Sequence, residues 1–189
     1  FRELGENDKA KSYFEKAIEI LPNYADAHSN LGSVFRELGE NDKAKSCYEK
    51  AIEINPNHTD GYSNLAVILK NSGEFQKARS CCEKAIQINP NHVAAHNNLG
   101  VVFNAIGESK KSINCYEKVI QIQPNHASAH YNLGRISLLL SNFQKGFDEY
   151  EWRKKLPKSL YTARNIDSLE WQGEDLTNKI ILILSEQGI

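Results

Sequence analysis

Packing positions recur along most of this chain at helical intervals, with polar faces between them. His28-x-x-Leu31-Gly32-x-x-Phe35 sets four such positions at i, i+3, i+4 and i+7, which is one face of a helix. A second block, Ala44-x-x-x-Tyr48-x-x-Ala51, carries small residues where two helices can cross, with an aromatic beside them. Gly39-Glu40-Asn41-Asp42 breaks the chain between the blocks, and Pro56 ends the second one. The pattern predicts helix pairs at 25–38 with 42–54, 59–72 with 76–88, 93–106 with 110–122 and 127–140 with 143–155. A lone helix at 7–20 precedes them.

These pairs are copies of one unit. "FRELGENDKAKS" stands at residues 1–12 and again, letter for letter, at 35–46, an offset of 34. Pro22, Pro56, Pro90 and Pro124 keep that interval, as do Ala17, Ala51, Ala85 and Val119, and Leu31, Leu65, Leu99 and Leu133. In period and at nearly every signature position the chain resembles the tetratricopeptide repeat. The tryptophan usual in that repeat is replaced by His28, Tyr62, His96 and His130. The resemblance implies an all-α, right-handed superhelix of about four and a half repeats over residues 1–154. Its units are 1–24, 25–58, 59–92, 93–126 and 127–154. The last departs from the pattern at Ser137, Gly146 and Arg153, as expected of a unit on which no further repeat stacks.

Past Lys154 the periodicity is lost. Residues 155–178 read as an irregular linker, and "KIILILSEQGI" at 179–189 reads as a short buried β-strand followed by a turn. Together with "GFDEYEWR" at 146–153 and the Trp171-x-Gly173 pair, this tail resembles bacterial proteins in which such repeats precede a heptosyltransferase-like glycosyltransferase domain. That resemblance implies the first strand of a truncated catalytic domain. The strand, Ile180 to Leu184, is apolar on both faces and is expected to fold back on the last repeat or pair with a second copy. The chain contains no methionine and reads as a piece of a longer protein.

Composition narrows the function. With 23 basic and 24 acidic residues, nothing at this level points to nucleic acid or an anionic membrane. No apolar run approaches the roughly 20 residues of a membrane span. Cys47, Cys81 and Cys115 share the repeat interval and Cys82 adjoins the second, a placement that suits half-buried thiols in a reducing, cytoplasmic compartment better than disulfides.

The resemblance implies that the first helix of each unit lines a concave groove. Its sixth position is Asn30, Asn64, Asn98 and Asn132, although mid-helix asparagine is a poor helix former and caps nothing there. Neighbouring positions have diverged: one residue earlier stand Ser29, Ser63, Asn97 and Tyr131. A column of amides, each donor and acceptor, can grip the backbone of an extended peptide whatever its sequence. The column is similar to the asparagine ladder of the O-linked N-acetylglucosamine transferase superhelix, which holds extended protein substrates. Ser29, Ser63, Asn97, Arg36 and Lys70 complete the expected groove. The chaperone carboxylate clamp of other tetratricopeptide proteins is disfavoured, because serine and asparagine stand at its basic positions, with Asp26 and Asp60 nearby.

His92 with His96 and His126 with His130 have a spacing that can bind zinc, but no acidic residue lies between them, and structural histidines are the expectation. No catalytic cluster can be assembled, and no metal, cofactor or enzymatic activity is expected of this chain itself. The reading is a protein-interaction scaffold that binds an extended peptide or protein, the recruiting arm of a larger glycosyltransferase. The alternatives are a part of that enzyme credited with its activity, and a structural or oligomerisation spacer.

Overall fold

The computed structural model describes residues 2–156, the first four by backbone alone. The expected linker beyond Leu156, the strand at 179–184 and the "EQG" turn lie outside the described residues. Nine α-helices run through the described part: α1 (Arg2–Ile20), α2 (Ala25–Glu37), α3 (Asn41–Ile54), α4 (Thr59–Asn71), α5 (Phe75–Ile88), α6 (Val93–Ala105), α7 (Ser109–Ile122), α8 (Ala127–Leu139) and α9 (Phe143–Tyr150). Antiparallel pairs α2–α3, α4–α5, α6–α7 and α8–α9 stack in sequence into the all-α superhelix that the periodicity predicts. The first helices of successive units also touch, α2 with α4 and α4 with α6, so they form the inner side of the stack.

The packing repeats the sequence unit. Ala44, Ala51, Ala78 and Ala85 are fully buried where second helices cross first helices. Tyr48 and Tyr116 are buried with them, and each ring lies against a glycine of the partner helix. A Cβ on Gly32 would come within 2.8 Å of the Tyr48 ring, and one on Gly100 within 2.7 Å of the Tyr116 ring. In the third unit the pair is Ala66 with Cys82: the extra methyl on one helix is matched by the loss of the ring on the other. At the position of Ala44 and Ala78 the fourth unit carries Ser112, fully buried, whose hydroxyl donates to the Gly100 carbonyl at 2.6 Å. The polar atom is tolerated there because it finds an acceptor.

Each first helix ends in a turn whose last residue is left-handed: Gly39, Gly73 and Gly107 have φ of +77°, +78° and +80°. The fifth unit puts Ser141 in the same place, at φ +61°, a conformation that costs a residue with a Cβ about 1 kcal/mol.

Two helices differ from the sequence expectation. Helix α1 starts at Arg2 and not at residue 7. "RELGEN" is helical at 2–7, whereas the identical residues at 36–41 contain the turn, so the turn is imposed by α3 packing back on α2 and not by the hexapeptide. Helix α9 ends at Tyr150, and residues Glu151–Lys155 tighten into a 3₁₀ turn where an α-helix to 155 was expected. Arg153 stands where the other units carry Ala51, Ala85 and Val119, the small residues of the helix crossing. Trp152 turns onto the His130 ring, stacked at 3.8 Å between centroids and 4° between planes.

Candidate functional site

The histidines of the inter-unit turns act first on the backbone. His58, His92 and His126 are the N-caps of α4, α6 and α8, and their Nδ1 atoms accept from the N–H groups of Gly61, Ala95 and Ala129 at 2.8, 3.1 and 3.1 Å. With Nδ1 accepting, the ring proton sits on Nε2. In His58 it faces Asp26 at 2.9 Å, and in His92 it faces Asp60 at 2.9 Å. The position in the third first helix is Ala94, so His126 has no such carboxylate. The histidines at the tryptophan position serve the same turns: Nε2 of His28, His96 and His130 donates to the carbonyls of Pro22, Pro90 and Pro124 at 2.9, 2.9 and 2.8 Å. His130 also pairs through Nδ1 with Glu149. Both sets of histidine are thus structural, and among the described residues no group of three or more His, Cys, Asp or Glu side chains could hold a metal ion.

This geometry gives a pH dependence. Burial holds the His126 pKa below its ordinary value of 6.5, with the neighbouring His130 lowering it further. A histidine with a depressed folded pKa binds more protons when unfolded, so its contribution to stability is complete above pH 6.5 and is lost as pH falls through the folded pKa. We expect the thermal midpoint to fall on acidification below pH 6.5, and His126→Asn, which keeps a capping acceptor without a titrating ring, to reduce that slope. Equal slopes in the two proteins would show that the cap does not titrate.

The four thiols are free, and burial raises the pKa of each, that of Cys82 to about 12 and those of Cys81 and Cys115 to about 11, with Cys47 raised as well. They are protonated and unreactive at neutral pH.

The asparagine column lies on the inner helices, but its members are not equivalent. Asn30 is exposed and, among the described residues, makes no hydrogen bond. Asn64 accepts only a long 3.5 Å contact from Arg36, which reaches across from the preceding unit. Asn98 is engaged: its amide nitrogen lies 3.2 Å from both the carbonyl and the hydroxyl oxygen of Ser63. A carbonyl can only accept, so this contact fixes the amide orientation and ties α6 to α4. Asn132 lines a cavity of about 150 Å³ with Asn104, Tyr116 and Arg135.

Ser29 and Ser63 are 3% and 2% exposed and belong to the seam between the first helices more than to an open groove. Asn97 is half-buried, with an Oδ1 that has no partner among the described residues. Lys70 is half-buried in the last turn of α4. Around the open end of the column, Tyr24, Asp26, Ser29, Asn30, His58, Asp60 and Asn64 surround a polar cleft of about 380 Å³. Asp26 and Asp60 are anchored by the histidines that close their own units, a link the 34-residue pattern does not reveal. The available signal was a second interval, 32 residues from aspartate to histidine, beside the 34-residue one.

An α-α solenoid with small residues buried at its helix crossings, and an aromatic beside them in the second and fourth units, defines the class of protein. The tetratricopeptide repeat family matches at residues 1–24, 25–58, 59–92 and 81–114, and a related repeat description at 102–138. The chain belongs to the tetratricopeptide repeat family.

The chain is similar to several solved structures. The MamA protein is 25% identical at a TM-score of 0.66, over 87% of this chain and 91% of that one. PilF of Pseudomonas aeruginosa is 22% identical at 0.73, over 82% and 71%. The first tetratricopeptide domain of Spaghetti (RPAP3), bound to an HSP90 peptide of sequence SRMEEVD, is 26% identical at 0.60, over 62% and 93%. No curated protein sequence matches the chain. Among the described residues no helix is long and apolar enough to cross a membrane.

Proposed function

We propose that the chain is a protein-interaction module whose inner face holds an extended polypeptide, with Asn30 and Asn64 as the amides that bond its backbone. The observation that carries this reading is the polar cleft at the open end of the asparagine column, with Asn30 unbonded and the Asn64 amide N–H groups free. Asp26 and Asp60, 66% and 74% exposed, border it and favour a partner with lysine or arginine side chains. The related domain bound to an HSP90 peptide takes a ligand with an acidic tail. Here serine and asparagine stand where a carboxylate clamp needs cations, so a different chemical class of peptide is selected. The likeness of the tail to a heptosyltransferase-like domain supports a role as the recruiting arm of a larger glycosyltransferase, with the donor site outside residues 2–156.

The test uses an array of extended basic peptides, and the affinity of the best binder for the Asn30→Ala/Asn64→Ala double variant. Each lost hydrogen bond is worth about 0.5–1.5 kcal/mol, so affinity drops on the order of tenfold while the melting curve is unchanged. Asn98→Ala is expected to do the reverse and lower stability with little effect on binding. Unaltered affinity in the folded double variant would refute the amide ladder, and an array without binders would favour a structural spacer.

A further inference from the structure

Two of the first helices, α2 and α6, carry an aromatic flanked by two cations from the second helices around it. Phe35 lies between Lys11 of α1 and Lys43 of α3, whose ammonium nitrogens are 5.6 and 5.3 Å from the ring centroid. Phe103 lies between Arg79 of α5 and Lys111 of α7, at 5.5 and 5.4 Å. Translation by one repeat puts Leu69 at the ring position and Lys45 and Lys77 at the cation positions. Everything but the ring is retained. Glu74 holds both lysines, at 3.5 and 2.5 Å, as Glu40 and Glu108 hold Lys43 and Lys111. Over Leu69 lies a cleft of about 440 Å³, floored by Leu65 and Leu69, with Lys45 and Glu49 on one wall and Lys77 and Cys81 on the other.

We propose that this cleft is a docking site for an aromatic side chain of a partner protein, which inserts between α3 and α5 and supplies the ring the third unit lacks. The two neighbouring units show what chemistry the place accepts: a ring against an apolar floor, with a cation over it from each flanking helix. Ammonium groups favour an aromatic over an aliphatic occupant of the same size, because the ring quadrupole attracts them. The partially buried Cys81 thiol, protonated at neutral pH, adds an apolar wall. The site is separate from the asparagine groove, and both can be filled at once by one partner or two.

The experiment titrates the full chain with N-acetyl-phenylalaninamide and, in parallel, with its cyclohexylalanine analogue, following backbone amide NMR signals. We expect saturable shifts centred on Leu69, Lys77, Ser80 and Cys81, with the phenyl compound binding about threefold more tightly than the cyclohexyl one. Leu69→Phe fills the place from within and is expected to weaken binding at least tenfold. Lys45→Gln/Lys77→Gln leaves the floor intact and is expected to bring the two compounds to parity. Absence of saturable shifts, or undiminished binding to Leu69→Phe, overturns the site. Equal affinity of the two compounds for the unmodified chain overturns its aromatic selectivity.

Discussion

Cys82→Tyr is expected to lower the unfolding midpoint, and adding Ala66→Gly to restore it. The ring introduced at residue 82 occupies the place that Tyr48 and Tyr116 hold in their own units, where the facing residue has no Cβ. Residue 66 has one, and a Cβ at the equivalent Gly32 and Gly100 positions would lie within 2.8 and 2.7 Å of a ring carbon. Overpacking of this kind costs about 1–3 kcal/mol. For a chain of this length that is a shift of about 2–4 °C per kcal/mol. Residues in direct contact couple by roughly 0.5–3 kcal/mol, so the double variant recovers more than the sum of the separate effects. The measurement is a thermal double-mutant cycle over Cys82→Tyr and Ala66→Gly. Additive effects, with no coupling between the two sites, would show that the glycine–tyrosine and alanine–cysteine pairs are independent accidents of each unit.

Gly134→Ala is expected to open the last unit. At Gly32 and Gly100 the added methyl would meet a tyrosine ring, but here it would come within 2.5 Å of the Tyr150 backbone nitrogen and 2.8 Å of the Glu149 carbonyl carbon. A backbone cannot rotate out of the way, so α8 and α9 must separate. Their separation pulls Trp152 off the His130 ring and Glu149 away from His130 Nδ1. The loss is at least the roughly 1–3 kcal/mol of an overpacked core, confined to the terminal unit because each repeat contacts only its neighbours. The chain has two tryptophans, so in a Trp171→Phe background the emission of Trp152 reports the event directly. A red-shifted emission at a temperature where the remaining helices stay folded is the expected result. An unchanged spectrum would mean that the close approach of these helices does not hold the stack.

The helices and their crossings were legible in the sequence because each unit repeats a local pattern: Leu31, Gly32 and Phe35 on one helix, and Ala44, Tyr48 and Ala51 on the next. What was not legible depends on contacts between units. The role of Asn98 is decided by the hydroxyl and carbonyl of Ser63, which stand one unit earlier. Asn64 faces an equivalent serine, Ser29, yet takes its contact from Arg36, for which the next unit offers the shorter Lys70. A column of identical letters therefore hides residues with different work. The histidine caps escaped for a related reason. Histidine is an uncommon cap, and its second partner lies 32 residues back, off the main period. The left-handed Ser141 and the 3₁₀ turn after Tyr150 belong to the one unit that departs from the pattern.

The pairing of Gly32 with Tyr48 and of Ala66 with Cys82 also bears on how such a gene can lengthen or shorten. Both partners of each pair lie within one unit, so recombination that breaks between units always transmits matched helices. A crossover that joins a helix of the third unit to the partner helix of a glycine–tyrosine unit does not. It joins either an alanine helix to a tyrosine helix, which clashes, or a glycine helix to a cysteine helix, which leaves a void. For exchanges that involve the third unit, viable breaks are thereby confined to the proline-containing joints, and its helix pair is inherited whole.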